Sequence, residues 1–355
     1  MRVLGQSTFL VKSRETLSTG DSIMKRYSRI LALALLVFNA TAIGSYAQSS
    51  RAKAHLEAAR AAAYEPGQDF TGAFAAVCVK PQPLAAQPPV FPQNVPPKAQ
   101  WYAEPVKVFD NLYFVGTKVT GAWAVTTSDG IILLDANEEY AVEAAVIEGL
   151  KKLGLDPATI KYNVITAAHT SSYGGAKYLQ EHFKTRVLVS EADWKVIANA
   201  KVPAEVKPRK DMVIMDGQKL TLGDTTVTLY VTPGHTSGSS SIVLPVKDGN
   251  QRRVAAMLGG RSPGQEEEGV RYFPTKNEAL TTWKASLNRF RDITEKAGVD
   301  VFLATRSVND HTDDKLNALK FRTAGRPHPF VSKDAFRRYL TMLSECMDAQ
   351  LTWEN

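Results

Sequence analysis

In this 355-residue chain, the order of the expected strands and helices constrains the fold more than any other sequence feature does. From residue 106, four short β-runs follow one another, and Asp129-Gly130 predicts a hairpin turn between the last two. Helices and strands then alternate as far as residue 199, and a second group of strands followed by helices completes the chain. Two such halves predict an α+β protein, an αββα sandwich in which two mixed sheets pack face to face with helices outside.

The individual elements can be assigned by residue number. In the first half, strands are expected at 106–109, 112–115, 122–125, 131–134, 162–165 and 186–189, and helices at 138–153, 174–184 and 191–199. In the second half, strands are expected at 218–222, 225–231, 240–244, 253–258 and 301–303, and helices at 277–297, 314–319 and 333–350. A hydrophobic content of 44% is sufficient to fill the core of such a fold.

The N-terminal residues predict export. Residues 25–29 include three basic side chains, residues 30–38 form an apolar run too short to span a bilayer, and Ser45-Tyr46-Ala47 favours cleavage before Gln48. We therefore interpret residues 24–47 as a signal peptide and residues 1–23 as an over-extended start. The mature protein is expected to be periplasmic or secreted, without a stable membrane anchor. The alternative is that residues 30–38 form a buried helix of the mature fold.

Residues 48–105 predict an N-terminal extension of the domain at 106–355. Residues 52–63 are rich in alanine and favour a helix, whereas the prolines within residues 81–105 favour an extended strap. The chain has two cysteines, Cys78 and Cys346, which in an oxidising compartment favour a disulfide. The alternative is two buried free thiols.

The charge distribution gives no indication of nucleic-acid binding. The formal net charge is +7, and four of these positive charges come from the first 47 residues. No interleaved basic and aromatic runs are present. The expected partner is a small molecule rather than a nucleic acid.

Several separated segments resemble one family. The runs FDNLYFVG, AWAVTTSDGIILLDA, VITAAHTSSYGGAKYL, VTPGHTSGSSSIVL and VDVFLATRS occur in the order seen in metallo-β-lactamase-fold hydrolases. The chain is most similar to exported relatives of the third subclass of metallo-β-lactamases. The resemblance extends from about residue 106 to the C-terminus and implies the same sandwich fold.

The resemblance also implies where zinc ligands would stand, and most of those positions are changed. The six positions are occupied by Ala167, His169, Ser171, Ser172, His235 and Arg306. Two imidazoles could hold at most one weak zinc ion, since a zinc site normally has three or four protein ligands. A guanidinium about 4 Å from a second zinc ion would cost roughly 8 kcal/mol at an effective dielectric constant of 20. We expect no zinc or one, and no dinuclear site.

Other residues near these positions are candidates for chemistry. Asp310 and His311 follow Arg306 on the same loop and are candidate additional metal ligands. Arg306 is the candidate anchor for an anionic ligand, and Tyr173 opens a helix whose free amides could bind the same ligand.

Three other interpretations of the histidines and serines remain open. Ser171 and Ser172 are candidate nucleophiles beside His169. His169 and His235 could instead serve only as hydrogen-bonding residues. We interpret His55, His182 and His328 as structural or solvated.

Three hypotheses about function follow, and the sequence leaves open whether the protein is an enzyme. The first is a pseudoenzyme that has lost dinuclear zinc and binds an anionic ligand in the former cleft. The second is a hydrolase of an ester, lactone or amide, with one weak zinc ion at His169 and His235. The third is a structural periplasmic protein.

Overall fold

The computed structural model describes residues 50–65, 69–80, 95–264, 266–323 and 325–354. The predicted over-extended start, the predicted signal peptide and residues 81–94 of the predicted strap lie outside these ranges. The domain boundaries given above therefore remain predictions.

The first sheet has seven strands in sequential order, β1 to β7. Their bounds are Val106–Phe109, Leu112–Phe114, Trp123–Thr127, Gly130–Leu134, Ile160–Val164, Arg186–Ser190 and Met212–Ile214. β1 to β4 form an antiparallel meander, and β4 to β7 pair in parallel. The change to parallel pairing occurs where helical crossovers begin, as parallel neighbours require.

The second sheet has five strands in the order β14-β11-β10-β9-β8. In chain order, β8 to β11 and β14 span Gln218–Leu222, Thr225–Val231, Ser240–Asp248, Gln251–Met257 and Val301–Leu303. β11 and β14 are parallel, and the other pairs are antiparallel. A separate hairpin is formed by β12 (Glu266–Glu267) and β13 (Val270–Arg271).

Helices flank both sheets. Helix α1 spans residues 50–63. Helices α2 to α5 span Thr71–Val77, Lys98–Trp101, Glu139–Ala141 and Glu148–Lys152, and a π-helical segment, Val142–Ile147, joins the last two. Helices α6 to α11 span Thr170–Tyr173, Ala176–Phe183, Glu191–Asn199, Lys276–Ala297, Thr312–Leu319 and Ala335–Glu354.

Three large apolar clusters account for this layering. The central cluster lies between the sheets and includes Leu112, Trp123, Leu229 and Ile242, all fully buried. A second cluster combines the opposite side chains of the first sheet with α5, α7 and α8. A third combines α1, α2, α9 and α11 with side chains of the second sheet. The alternation of strand side chains between two buried faces confirms the αββα sandwich.

Several short elements were not predicted from the sequence. Residues 98–101 of the predicted strap form helix α3, where the buried Trp101 ring donates its Nε1–H to the Pro96 carbonyl at 3.0 Å. The predicted loop after β5 becomes helical at Thr170. Helix α2, strand β7 and the β12–β13 hairpin were also missed, because elements this short carry too little periodicity to be recognised.

The predicted disulfide is confirmed. Cys78, at the C-terminus of α2, is bonded to Cys346 within α11, and their Cα atoms lie 4.8 Å apart. Both cysteines are buried among the side chains of the third cluster. The bond therefore fastens the N-terminal extension to the last helix of the domain.

Among the described residues, the helices are too short or too polar to cross a bilayer.

Candidate functional site

Loops from both sheets meet around one small cavity. Its lining residues are Thr166, Ala167, Ser171, Ser172, His235, Gly260, Arg261, Thr305 and Arg306. The cavity has a volume of about 30 Å³, enough for one or two water molecules or a very small ion. Chemistry at this site is therefore limited to small groups unless the surrounding loops move apart.

His169 lies where β5 gives way to helix α6. It occupies the residue before α6, has an extended backbone, and its side chain is only 4% exposed. Its ring lies 4.6 Å from that of His235, measured between centroids. The fold thus brings together two histidines that are 66 positions apart in the sequence.

A buried carboxylate, Asp193, ties the two histidine loops together. It accepts hydrogen bonds from the amide of Ala168 at 3.0 Å, the hydroxyl of Thr236 at 2.6 Å and the amide of Gly238 at 2.7 Å. Burial raises the pKa of Asp193 to about 6, against the opposing effect of these hydrogen bonds and of His169. Asp193 therefore positions both loops without lining the cavity.

His235 is oriented by the backbone around it. Its Nδ1 lies 2.7 Å from the carbonyl oxygen of Ser262, so Nδ1 carries the proton that this contact requires. A Cβ atom placed on Gly260 would lie 2.1 Å from the His235 ring, and Gly260 has φ of +116°. Only glycine fits at position 260 with the ring where it stands.

Arg306 also lines the cavity. It follows β14 and pairs through its backbone with Thr120. Its Nη2 donates to the hydroxyl oxygen of Ser171 at 3.2 Å. The guanidinium charge also acts on two buried acids, Asp135 and Glu138.

Asp135 is a buried acid held in a strained conformation. Its backbone φ is +58°, and its carboxyl accepts hydrogen bonds from the amide and hydroxyl of Thr166, both at 2.8 Å. Burial raises the pKa of Asp135 to about 7, although the bonds from Thr166 and Ser172 and the charge of Arg306 oppose this rise. Burial likewise raises the pKa of Glu138.

A second arginine lines the same cavity. Arg261 is half-buried and lies in the loop after β11, where its Nη1 is 3.4 Å from the Oδ1 of Asn309. Burial and the nearby Arg306 lower the pKa of Arg261. Burial is the larger of these two causes, and the charge of Arg306 acts in the same direction.

The segment around the β12–β13 hairpin covers the histidines. The Glu268 carboxylate accepts from the amide of Thr170 at 2.9 Å and from the hydroxyl of Tyr173 at 2.8 Å. The ring of Tyr272 meets that of His169 edge-on, with centroids 6.0 Å apart. These contacts hold the segment against the loop that carries His169.

This architecture and sequence match known proteins. Residues 116–250 match the model of the metallo-beta-lactamase superfamily. BJP-1, a subclass B3 metallo-beta-lactamase of Bradyrhizobium japonicum, is 26% identical with a TM-score of 0.58, over 70% of this chain and 94% of that chain. Residues 116–250 form a metallo-beta-lactamase superfamily domain. The predicted metallo-β-lactamase fold and the resemblance to the third subclass, B3, are therefore confirmed.

Two further similarities have a narrower meaning. Native FEZ-1, a metallo-beta-lactamase from Legionella gormanii, is 24% identical with a TM-score of 0.57, over 67% of this chain and 92% of that chain, which supports the fold alone. A hydroxyacylglutathione hydrolase of Mesorhizobium japonicum is 33% identical over 113 residues. That match spans 32% of this chain and only 38% of the hydrolase.

The metallo-beta-lactamase superfamily usually uses zinc, so the donor atoms around the cavity decide which metals this domain could hold. The described residues at the family's ligand positions supply two imidazoles, His169 and His235, beside two hydroxyls and the Arg306 guanidinium. Among the described residues, a group of three His, Asp or Glu side chains with converging ligand atoms lies outside the cavity, around His55. The cavity residues do not fit a zinc pair.

Asp310 and His311 have other partners than His169. The buried Asp310 carboxyl accepts from Lys315 Nζ at 2.8 Å and from the Thr312 hydroxyl at 2.5 Å. His311 Nε2 lies 2.9 Å from Asp69 Oδ1. Their contacts therefore do not support the prediction that they complete a metal site, because the loop turns at His311 (φ +54°) to begin α10.

The other predicted residues are divided between the cavity and its surroundings. Ser171, Ser172 and Arg306 line the cavity, whereas Tyr173 is fully buried and donates to Glu268. The Ser172 hydroxyl hydrogen-bonds to Asp135. The nucleophilic role of the two serines remains a prediction, as does the ligand-binding role of Tyr173.

Sequence reasoning missed Asp135, Asp193 and Arg261. A weak signal existed for the two aspartates. Asp135 directly follows the buried strand β4, and Asp193 lies in the first turn of α8, the helix that follows the buried strand β6. Arg261 gave no signal, since the loop that carries it has no periodicity.

Proposed function

We propose that this metallo-beta-lactamase-fold protein lacks the dinuclear zinc centre and binds a small oxyanion in its closed cleft. The observation that carries the proposal is that two arginines, Arg306 and Arg261, line one cavity together with several hydroxyl groups. Carboxylate and phosphate groups are the anions that guanidinium groups recognise best. The ligand is expected to be a small phosphate or carboxylate, or such a group at the end of a longer molecule, and the loops around the cavity of about 30 Å³ move apart to admit it.

The electrostatics of the site support an anion. Arg261 and Arg306 repel each other, and an anion between them would relieve that repulsion. The carboxyls that face Arg306 are Asp135 and Glu138, and burial disfavours the charged form of both. They neutralise Arg306 incompletely, so positive charge remains available to a ligand.

The ligand positions of the family support the absence of a zinc pair. A second zinc ion would stand close to the Arg306 guanidinium, and Ser171 and Ser172 offer neutral hydroxyls. Zinc in proteins is bound by thiolate, imidazole and carboxylate groups. The two remaining imidazoles, His169 and His235, leave a metal ion short of protein ligands.

The test is titration calorimetry with inorganic phosphate and, separately, acetate. Arg306→Ala is expected to weaken binding by about 1.5 to 3 kcal/mol, the range for a hydrogen bond to a charged group. Arg326→Ala removes an exposed arginine and serves as the matched control. Equal affinities in the Arg306→Ala variant and the control would refute the assignment of Arg306 as the anchor.

A second candidate function is a hydrolase with one zinc ion. The 4.6 Å separation of the His169 and His235 rings favours it, as does the similarity to a hydroxyacylglutathione hydrolase and a subclass B3 metallo-beta-lactamase. Hydrolysis of an ester, lactone or amide should then be removed by a chelator and abolished by His235→Ala. Activity that survives both changes would exclude this candidate.

We also propose that the protein is exported to the periplasm or secreted. The Cys78–Cys346 disulfide supports this location, because disulfides persist in oxidising compartments. Cell fractionation followed by mass determination of the mature N-terminus tests the predicted cleavage before Gln48. Recovery of the uncleaved chain from the cytosol would contradict it.

A further inference from the structure

Three side chains of types that bind metals meet where helix α1 approaches α11, the helix that carries Cys346 of the disulfide. His55 of α1 and Glu345 and Asp348 of α11 bring one ligand atom each to within 4.8 Å of one another. His55 Nδ1 and Glu345 Oε2 are only 2.6 Å apart. Within the described part of the chain, this is the group of three that offers converging metal ligands.

The positions of these residues suit a metal site. Glu345 and Asp348 are three residues apart on one helix, so their side chains project from the same face. His55 approaches that face from a different helix, and all three side chains are half-buried. One imidazole, two carboxylates and a water molecule make up a tetrahedral set for Zn²⁺.

Lys284 now occupies part of this site. Its Nζ lies 2.5 Å from Asp348 Oδ1. The two carboxylates and the one ammonium together carry a net negative charge, which attracts a cation. The Lys284 ammonium supplies the positive charge that a bound metal ion would otherwise supply.

We propose that His55, Glu345 and Asp348 bind a divalent transition-metal ion such as Zn²⁺, which displaces Lys284 from Asp348. The ion would join α1 to α11 directly beside the residue that forms the disulfide, since Cys346 follows Glu345. The N-terminal extension would then be fastened to the domain by a metal ion as well as by a covalent bond. This site is independent of the anion cavity.

The test is titration calorimetry with Zn²⁺ alone, on the wild-type chain and on a His169→Ala/His235→Ala background that removes the cleft imidazoles. One zinc ion per chain is expected to bind in that background. His55→Gln and, as a second variant, Asp348→Asn should each weaken this binding at least tenfold, of the order seen when a group supporting a metal site is removed. Glu57→Gln changes an exposed carboxylate of the same helix and should have no effect.

The Lys284→Met variant tests the displacement step. It removes the competing ammonium while keeping a chain of similar length, so zinc is expected to bind more tightly than in the wild type. The absence of zinc binding in the double-histidine background would overturn the proposal. So would zinc affinity that His55→Gln and Asp348→Asn both leave unchanged, or that Lys284→Met lowers.

Discussion

Removal of the disulfide is expected to lower the free energy of unfolding by about 2 to 5 kcal/mol. The bond joins residues separated by 268 positions, so its loss frees a very long loop in the unfolded chain. It also holds α2 against α11, where Gln350 Nε2 donates to the Val77 carbonyl at 2.7 Å. Urea unfolding of the Cys78→Ala/Cys346→Ala variant measures the change.

Two further measurements make this prediction specific. Wild-type protein reduced with dithiothreitol should unfold at the same urea concentration as the double variant, since both lack the cross-link. Amide hydrogen exchange should increase first in α1 and α2, the helices that the bond fastens. A double variant as stable as the oxidised wild type would show that packing alone holds this extension in place.

Stability is expected to fall as the pH rises, and Asp135 is expected to be a main cause. In the unfolded chain this carboxyl ionises near its ordinary value of 3.8, whereas in the folded protein it keeps its proton until about pH 7. Between these values the folded state binds the extra proton, so stability decreases with increasing pH and becomes level above about 7. A shift of this size corresponds to roughly 4 kcal/mol.

The Asp135→Asn variant isolates this contribution. Asparagine tolerates the positive φ of +58° at this position and has the same shape. The variant should match the wild type near pH 4 and be more stable by several kcal/mol at pH 8, as measured by urea unfolding across that range. Asp129→Asn, at an exposed hairpin turn, is the control. Parallel curves for Asp135→Asn and the wild type would contradict the proposed ionisation.

Part of this pH dependence comes from Asp193 as well. Burial raises its pKa to about 6, so it acts in the same direction over a narrower range. Some decrease in stability should therefore persist in the Asp135→Asn variant between about pH 4 and pH 6.

The sequence by itself determined the fold of this protein. Strand and helix order depends on periodicity and turn residues that lie close together in the chain, such as the alternation around Asp129-Gly130, and both sheets followed from it. The same local patterns located His169, His235 and Arg306 at the ends of strands. Two cysteines allowed a single pairing, and the structure contains it.

Only the tertiary structure decided what surrounds those residues. The placement of Arg261 and Arg306 on one cavity, the three hydrogen bonds to Asp193 and the cavity volume of about 30 Å³ all depend on which loops come together. His55 was interpreted from the sequence as structural or solvated, yet it contacts Glu345 across 290 positions. Such contacts are set by the packing of separate elements, and the periodicity within one element carries no information about its partner.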